Sequence, residues 1–94
     1  IKKVVEITNG KQDSVTFDIK SILYETIKTG YNKIILVHNH PSQDVIPSSE
    51  DHKVTMLLED VSKIMHIPIM DHIIVSTHSW FSFRKQGLLS DATE

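Results

Sequence analysis

The sequence predicts an α/β domain in which one sheet is flanked by helices. Three observations carry that reading. The chain has 94 residues, enough for one domain spanning 1–94 and no more. Its hydrophobic fraction of 39% belongs to a globular chain rather than a disordered one. Short β-branched runs alternate with segments of helical periodicity in the order β-β-α-β-α-β-β, the spacing expected of strand–helix–strand crossovers around one sheet.

The first run, "IKKVVEIT", reads as a strand that ends at the Asn9-Gly10 turn signal. "DSVTF" reads as a second short extended piece, with Asp18 as the N-cap of a helix. Ile19, Ile22, Leu23 and Ile27 follow helical spacing, with Leu23 and Ile27 toward the core and Glu25 away from it. Gly30 stands where a C-terminal glycine belongs. "KIILVH" is a continuous apolar run, the mark of a central strand covered on both faces. Pro41 and Pro47 make 39–47 a loop, and Ser48 opens a second helix. Its expected apolar stripe is Val54, Leu57, Leu58, Val61, Ile64 and Met65. "DHIIVS" is the next strand, Thr77 to Ser79 a turn, and "WFSF" the last strand. "GLLSDATE" is read as a loose tail.

Composition removes several classes of function. The chain contains no cysteine, which excludes disulfides, thiolate nucleophiles and cysteine-based zinc sites. Any metal must be held by His, Asp and Glu, and a cytoplasmic location is compatible with this usage. A net charge of -2 offers no global attraction to nucleic acid. No apolar run approaches the roughly 18 residues of a membrane span, and no signal-like leader is visible. The chain begins at Ile1 without a methionine and is read as a fragment or a processed form.

The chemistry concentrates in "VHNHPSQDVIPSSED", residues 37–51. His38 and His40 are two apart, so on a continuing strand both imidazoles share one face. They stand at the end of a strand, where open α/β sheets place their ligand sites. Asp51 adds an oxygen donor from the first turn of the following helix. Two histidines, one carboxylate and a water form a catalytic zinc set with an open position. Ser48-x-x-Asp51 also fits an ordinary helix start, with Ser48 as N-cap and an acid three residues on. Capping accounts for Ser48 and Asp51 but not for two histidines at one end of the sheet.

The spacing His38-x-His40, seven residues, Ser48-x-x-Asp51 resembles the metal motif of the JAMM (MPN) metallohydrolases. The wording "ILVHNHPS", "PSSED", "IPIMDHIIVS" and "FSFRKQGLL" resembles the RadC family within that superfamily, over nearly the whole chain. The resemblance implies a mixed sheet flanked by helices, as in the cytidine-deaminase-like folds. It implies that His38, His40 and Asp51 bind Zn2+ with a water, and that Ser48 helps to stabilise an oxyanion. It implies a glutamate base upstream of the motif. Glu6 and Glu25 are the two candidates. Glu6, on a strand shortly before the Asn-Gly turn, is chosen over mid-helix Glu25, where a solvated charge is expected. The implied chemistry is hydrolysis of a peptide or isopeptide bond.

The chain departs from the family pattern in three places. Gln43 stands where a glycine usually follows "HPS", and Asp18-Ile19-Lys20 replaces a proline-arginine pair. The strand that normally comes before Ile1 is expected to be missing, as is the helix-hairpin-helix region that many RadC proteins carry. An edge left open by a missing strand can recruit a partner chain, including a second copy in a homo-oligomer.

Of the remaining residues, His72 is expected to be a buried, hydrogen-bonded strand residue near the site, or one that orients a metal ligand. His52 is expected to face solvent, and His66 and His78 receive no function. Trp80, Phe81 and Phe83 are read as core and edge packing rather than a stacking platform. The contiguous letters His38-Asn39-His40 are not an HNH nuclease motif, whose residues lie tens of positions apart in a ββα-metal unit. A barrel amidohydrolase needs at least about 200 residues. The rival to a zinc hydrolase is a non-catalytic interaction or DNA-repair accessory module, with any DNA contact coming from regions outside this chain.

Overall fold

The computed structural model describes residues 15–40 and 44–89, with the backbone alone for 15–18. The elements run α1 (Val15–Thr29), β1 (Ile34–Asn39), α2 (Ser49–Met65), β2 (Ile69–Val75) and β3 (Trp80–Ser82). The sheet is mixed, in the order β1-β2-β3: β1 and β2 are parallel across the α2 crossover, and β3 returns antiparallel to β2. This is the expected α/β architecture. The strand expected at residues 1–8 and its Asn9-Gly10 turn lie outside the described residues, as does Gln43.

Both helices pack on one face of the sheet. Ile19 and Ile22 of α1, Leu58 of α2, Ile34 of β1 and Ile69 of β2 form the buried cluster, with Leu23, Leu36, Val54 and Ile67 packed against it. Gly30 ends α1 as predicted. Its φ of 79° lets its N–H reach the carbonyls of Thr26 and Ile27, a conformation that costs a side-chain-bearing residue more.

Four expectations are corrected. "DSVTF" does not stay extended as far as Phe17. The helix already runs from Val15, and Asp18 lies inside it rather than at its cap. Adding a turn to an existing helix gains hydrogen bonds without a new nucleation step, which outweighs the weak strand preference of Val, Thr and Phe. Ile27 is exposed, because α1 rolls so that Ile19 and Ile22 meet the core. The α2 stripe is also turned. Asp51, Thr55 and Leu58 face inward, whereas Leu57, Ile64 and Met65 are exposed. Finally, β1 is covered on one face only. Ile34 and Leu36 meet the helices, while Ile35 and Val37 remain 53% and 59% exposed, since no described element lies over that face.

One irregularity in the sheet positions the site. Ile34 pairs with Ile69, but Ile35 pairs with Asp71, so Met70 is an extra residue on β2. The insertion shifts the alternation by one. Ile69 and then His72 and Ile74 all turn toward the helices, where straight alternation would have sent Asp71 and Ile73. Arg84 braces the slip: its Nε donates to the Met70 carbonyl and an Nη to the Ile69 carbonyl at 3.2 Å. Asp71, on the opposite face, accepts from the backbone N–H groups of His72 and Arg84 and from the Ser82 hydroxyl.

Candidate metal centre

The site forms where the C-terminal end of β1 meets the N-terminus of α2. Ser48 is the N-cap of α2, in extended backbone (φ -81°, ψ 171°). Its hydroxyl accepts the Asp51 N–H at 3.1 Å, and Asp51 Oδ2 accepts the Ser48 N–H at 2.8 Å, which closes a capping box. The expected helix start is therefore present. It does more than end the helix, because it holds the Asp51 carboxylate, 4% exposed, inward at the sheet end.

Two imidazoles meet that carboxylate. His38 Nδ1 stands 2.8 Å from Oδ1, and His40 Nε2 stands 3.2 Å from Oδ2. The two rings are edge to face, with centroids 4.8 Å apart. His40 Nδ1 lies 3.0 Å from the Asp44 carbonyl oxygen. A carbonyl only accepts, so Nδ1 carries a hydrogen and the other nitrogen, Nε2, is left facing the carboxylate oxygen. Two acceptors at 3.2 Å repel unless a proton or a cation stands between them. Burial is the largest influence on Asp51 and pushes its carboxyl up. The Ser48 hydrogen bonds and the nearby His38 and His40 together outweigh it and hold the group below its ordinary value.

His72 approaches the same carboxylate from within the sheet. One donor atom from each of His38, Asp51 and His72 lies within 4.8 Å of the other two. These three residues can hold a metal ion: two neutral nitrogens and a deprotonated oxygen are the donors that a borderline divalent cation takes. His72 is 2% exposed, lies flat against Phe83 with centroids 4.4 Å apart, and has Nδ1 2.6 Å from the Thr55 hydroxyl oxygen. Burial pushes its imidazole down to about 4, against the opposing pull of Asp51. It is thus the buried, hydrogen-bonded residue expected from the sequence, and it also belongs to the donor cluster.

The structure brings His38, His40, Ser48 and Asp51 together. Glu6 lies outside the described residues. Glu25 pairs with Lys28 at 4.0 Å on α1. His52 is exposed and meets Phe83 edge to face, and His66 is the left-handed cap of α2 at φ 59°. Sequence reasoning did not place His72 among the donors, nor assign any part to Thr55. Local spacing carries no such signal: His72 comes to the site through the pairing of Leu36 with His72 across β1 and β2.

Residues 1–88 match the RadC-like JAB domain family, and the chain belongs to it. Among its relatives, the UPF0758 protein of Chlorobium luteolum is 39% identical over 89 residues, covering 95% of this chain and 40% of the relative. The UPF0758 protein of Chlorobaculum tepidum is 41% identical over 83 residues, 88% of this chain and 37% of the relative. That of Trichlorobacter lovleyi is 33% identical over 89 residues, 95% and 39%. The chain therefore spans about two-fifths of the length of the curated relatives it matches. Among the described residues, no helix is long and apolar enough to cross a membrane.

Proposed function

We propose that this domain is a zinc-dependent hydrolase of peptide or isopeptide bonds, with His38, His40 and Asp51 as ligands. The observation that carries the reading is the His40–Asp51 contact: an imidazole nitrogen and a carboxylate oxygen held 3.2 Å apart by neighbours that fix both. A divalent cation there would take both atoms as ligands in place of a shared proton. Membership in a JAB-type family supports the same reading.

Zinc at such a site supplies Lewis acidity and lowers the pKa of a bound water toward about 7. The protein's own groups do the rest. The capping box holds the Asp51 carboxylate toward the two imidazoles. The Ser48 oxygen already accepts from Asp51 N–H, so its own hydrogen is available to an oxyanion forming at the rim. Glu6 takes a proton from the attacking water and delivers it to the leaving amine. The substrate is a protein or peptide, and the domain works in the cytoplasm.

Metal analysis and turnover test this together. The wild-type chain should carry about one zinc, and His40→Ala and Asp51→Ala should lose it. Glu6→Gln should keep the metal and lose cleavage of peptide and isopeptide substrates. A metal-free wild-type protein in zinc-supplemented buffer would remove the hydrolase reading. Salt-sensitive, sequence-independent DNA affinity in its place would favour an accessory role in DNA repair.

A further inference from the structure

His72 Nε2 is a buried nitrogen with no hydrogen-bond partner among the described residues. Such an atom is costly in a protein interior and calls for a cause. The other ring nitrogen shows what state Nε2 is in. Thr55 has one hydroxyl hydrogen, and it goes to the Asp51 carbonyl at 3.0 Å, one helical turn back. Toward His72 Nδ1, 2.6 Å away, the same oxygen can then only accept. Nδ1 must carry the imidazole hydrogen, which leaves Nε2 a bare lone pair. The ring that bears it is clamped by Phe83, stacks on His38 at 6.3 Å between centroids, and belongs to the 4.8 Å donor cluster with His38 and Asp51.

The geometry points to His72 as a further nitrogen ligand of the cation held at His38 and Asp51, with Thr55 as the positioning residue that keeps Nε2 unprotonated. The inference rests on the reading of the site as a metal centre and extends it. Thr55 is in turn carried by the helix that presents Asp51, one turn further along. The same helix start therefore orients the carboxylate directly and the second-strand imidazole through a hydroxyl. This is the arrangement in which a ligating histidine gives its other N–H to a fixed acceptor. With His40, whose Nε2 faces the same carboxylate, the chain would offer four donors to a bound cation.

The test uses the full chain, 15N-labelled at histidine, and 113Cd2+ as the probe. Imidazole nitrogen shifts in the metal-free protein should show His72 as the Nδ1–H tautomer. On adding 113Cd2+, His72 Nε2 should shift and show coupling to the metal, alongside His38. Thr55→Val keeps the shape and removes the hydroxyl. It should mix the His72 tautomers and weaken cadmium affinity by about 10- to 100-fold. Cadmium coupled to His38 and His40 while His72 Nε2 stays unmoved would overturn the inference and leave the metal-centre reading intact. Unchanged affinity and tautomer in Thr55→Val would remove Thr55 from its role. Absence of any cadmium coupling would overturn the inference and the metal-centre reading together.

Discussion

Asp51 Oδ2 accepts the Ser48 N–H at 2.8 Å and faces His40 Nε2 at 3.2 Å, so one oxygen serves both a helix cap and a candidate cation. The two duties separate by substitution. Asp51→Asn can still accept the Ser48 N–H but brings no charge, so it should lose metal and keep the start of α2. Asp51→Ala should lose both, at a further cost of about 1 kcal/mol read by urea unfolding. His72 makes a second prediction at the level of single groups. In the unfolded chain it takes a proton below its ordinary 6.5, whereas in the fold it does so only near 4. Between those values the unfolded state binds more protons, so the stability of the metal-free protein should fall as pH drops through that window, by up to roughly 3 kcal/mol. The depressed Asp51 adds to the loss below its ordinary 3.8, in the same direction. Urea midpoints at intervals from pH 7 to 4 check this, and His72→Gln should flatten the upper part of the slope.

Each element near the site owes its position to a local device that also carries chemistry. The capping box starts α2 at Ser49. Ser48→Ala should cost about 1 kcal/mol, whereas Ser48→Asn, an equally good cap, should keep the melting temperature near wild type and lose the hydroxyl. A difference in turnover between Ser48→Asn and wild type at equal stability would then report the hydroxyl alone. On β2 the device is the extra residue Met70, whose carbonyl and that of Ile69 are taken by Arg84. Removing the guanidinium leaves part-buried carbonyls short of a donor. Arg84→Ala should therefore destabilise by about 1–3 kcal/mol, and amide exchange should quicken across residues 69–72. The effect should reach the His72 ring shifts, because the slip is what turns that residue toward α2.

The molecule as a whole gathers its burial on one side of the sheet. Leu58 is fully buried among α1, β1 and β2, so Leu58→Ala should cost about 2–5 kcal/mol, checked by urea denaturation alongside Val37→Thr. Val37 lies exposed on the other face, and its replacement should stay within about 0.5 kcal/mol of wild type. That contrast explains which predictions from pattern held. Gly30, the Ser48 cap, a strand at "DHIIVS" (two residues short of its observed start at Ile69) and the end of β1 were legible because each depends on a few neighbouring residues. The α2 stripe was legible only in part: Val54 and Leu58 meet the core, but hydrophobicity also gave the inner face to Leu57 and Ile64, where the structure gives it to Asp51 and Thr55. Polar residues with partners can occupy a buried face, and some of those partners, His38 and His72, lie on other elements.

From the residue order alone came the alternation of strands and helices, the helix start at Ser48, and the convergence of His38, His40 and Asp51 at one end of the sheet, since all three sit within one strand–loop–helix unit. Tertiary structure decided the inward turn of His72, the hydrogen bond that sets its tautomer, the carbonyl of Asp44 behind His40, and which face of β1 meets the helices. The division follows from chemistry: caps and turns are settled by neighbours a few residues apart, whereas a parallel register slipped by one residue exists only once β1 and β2 have paired across the whole length of α2.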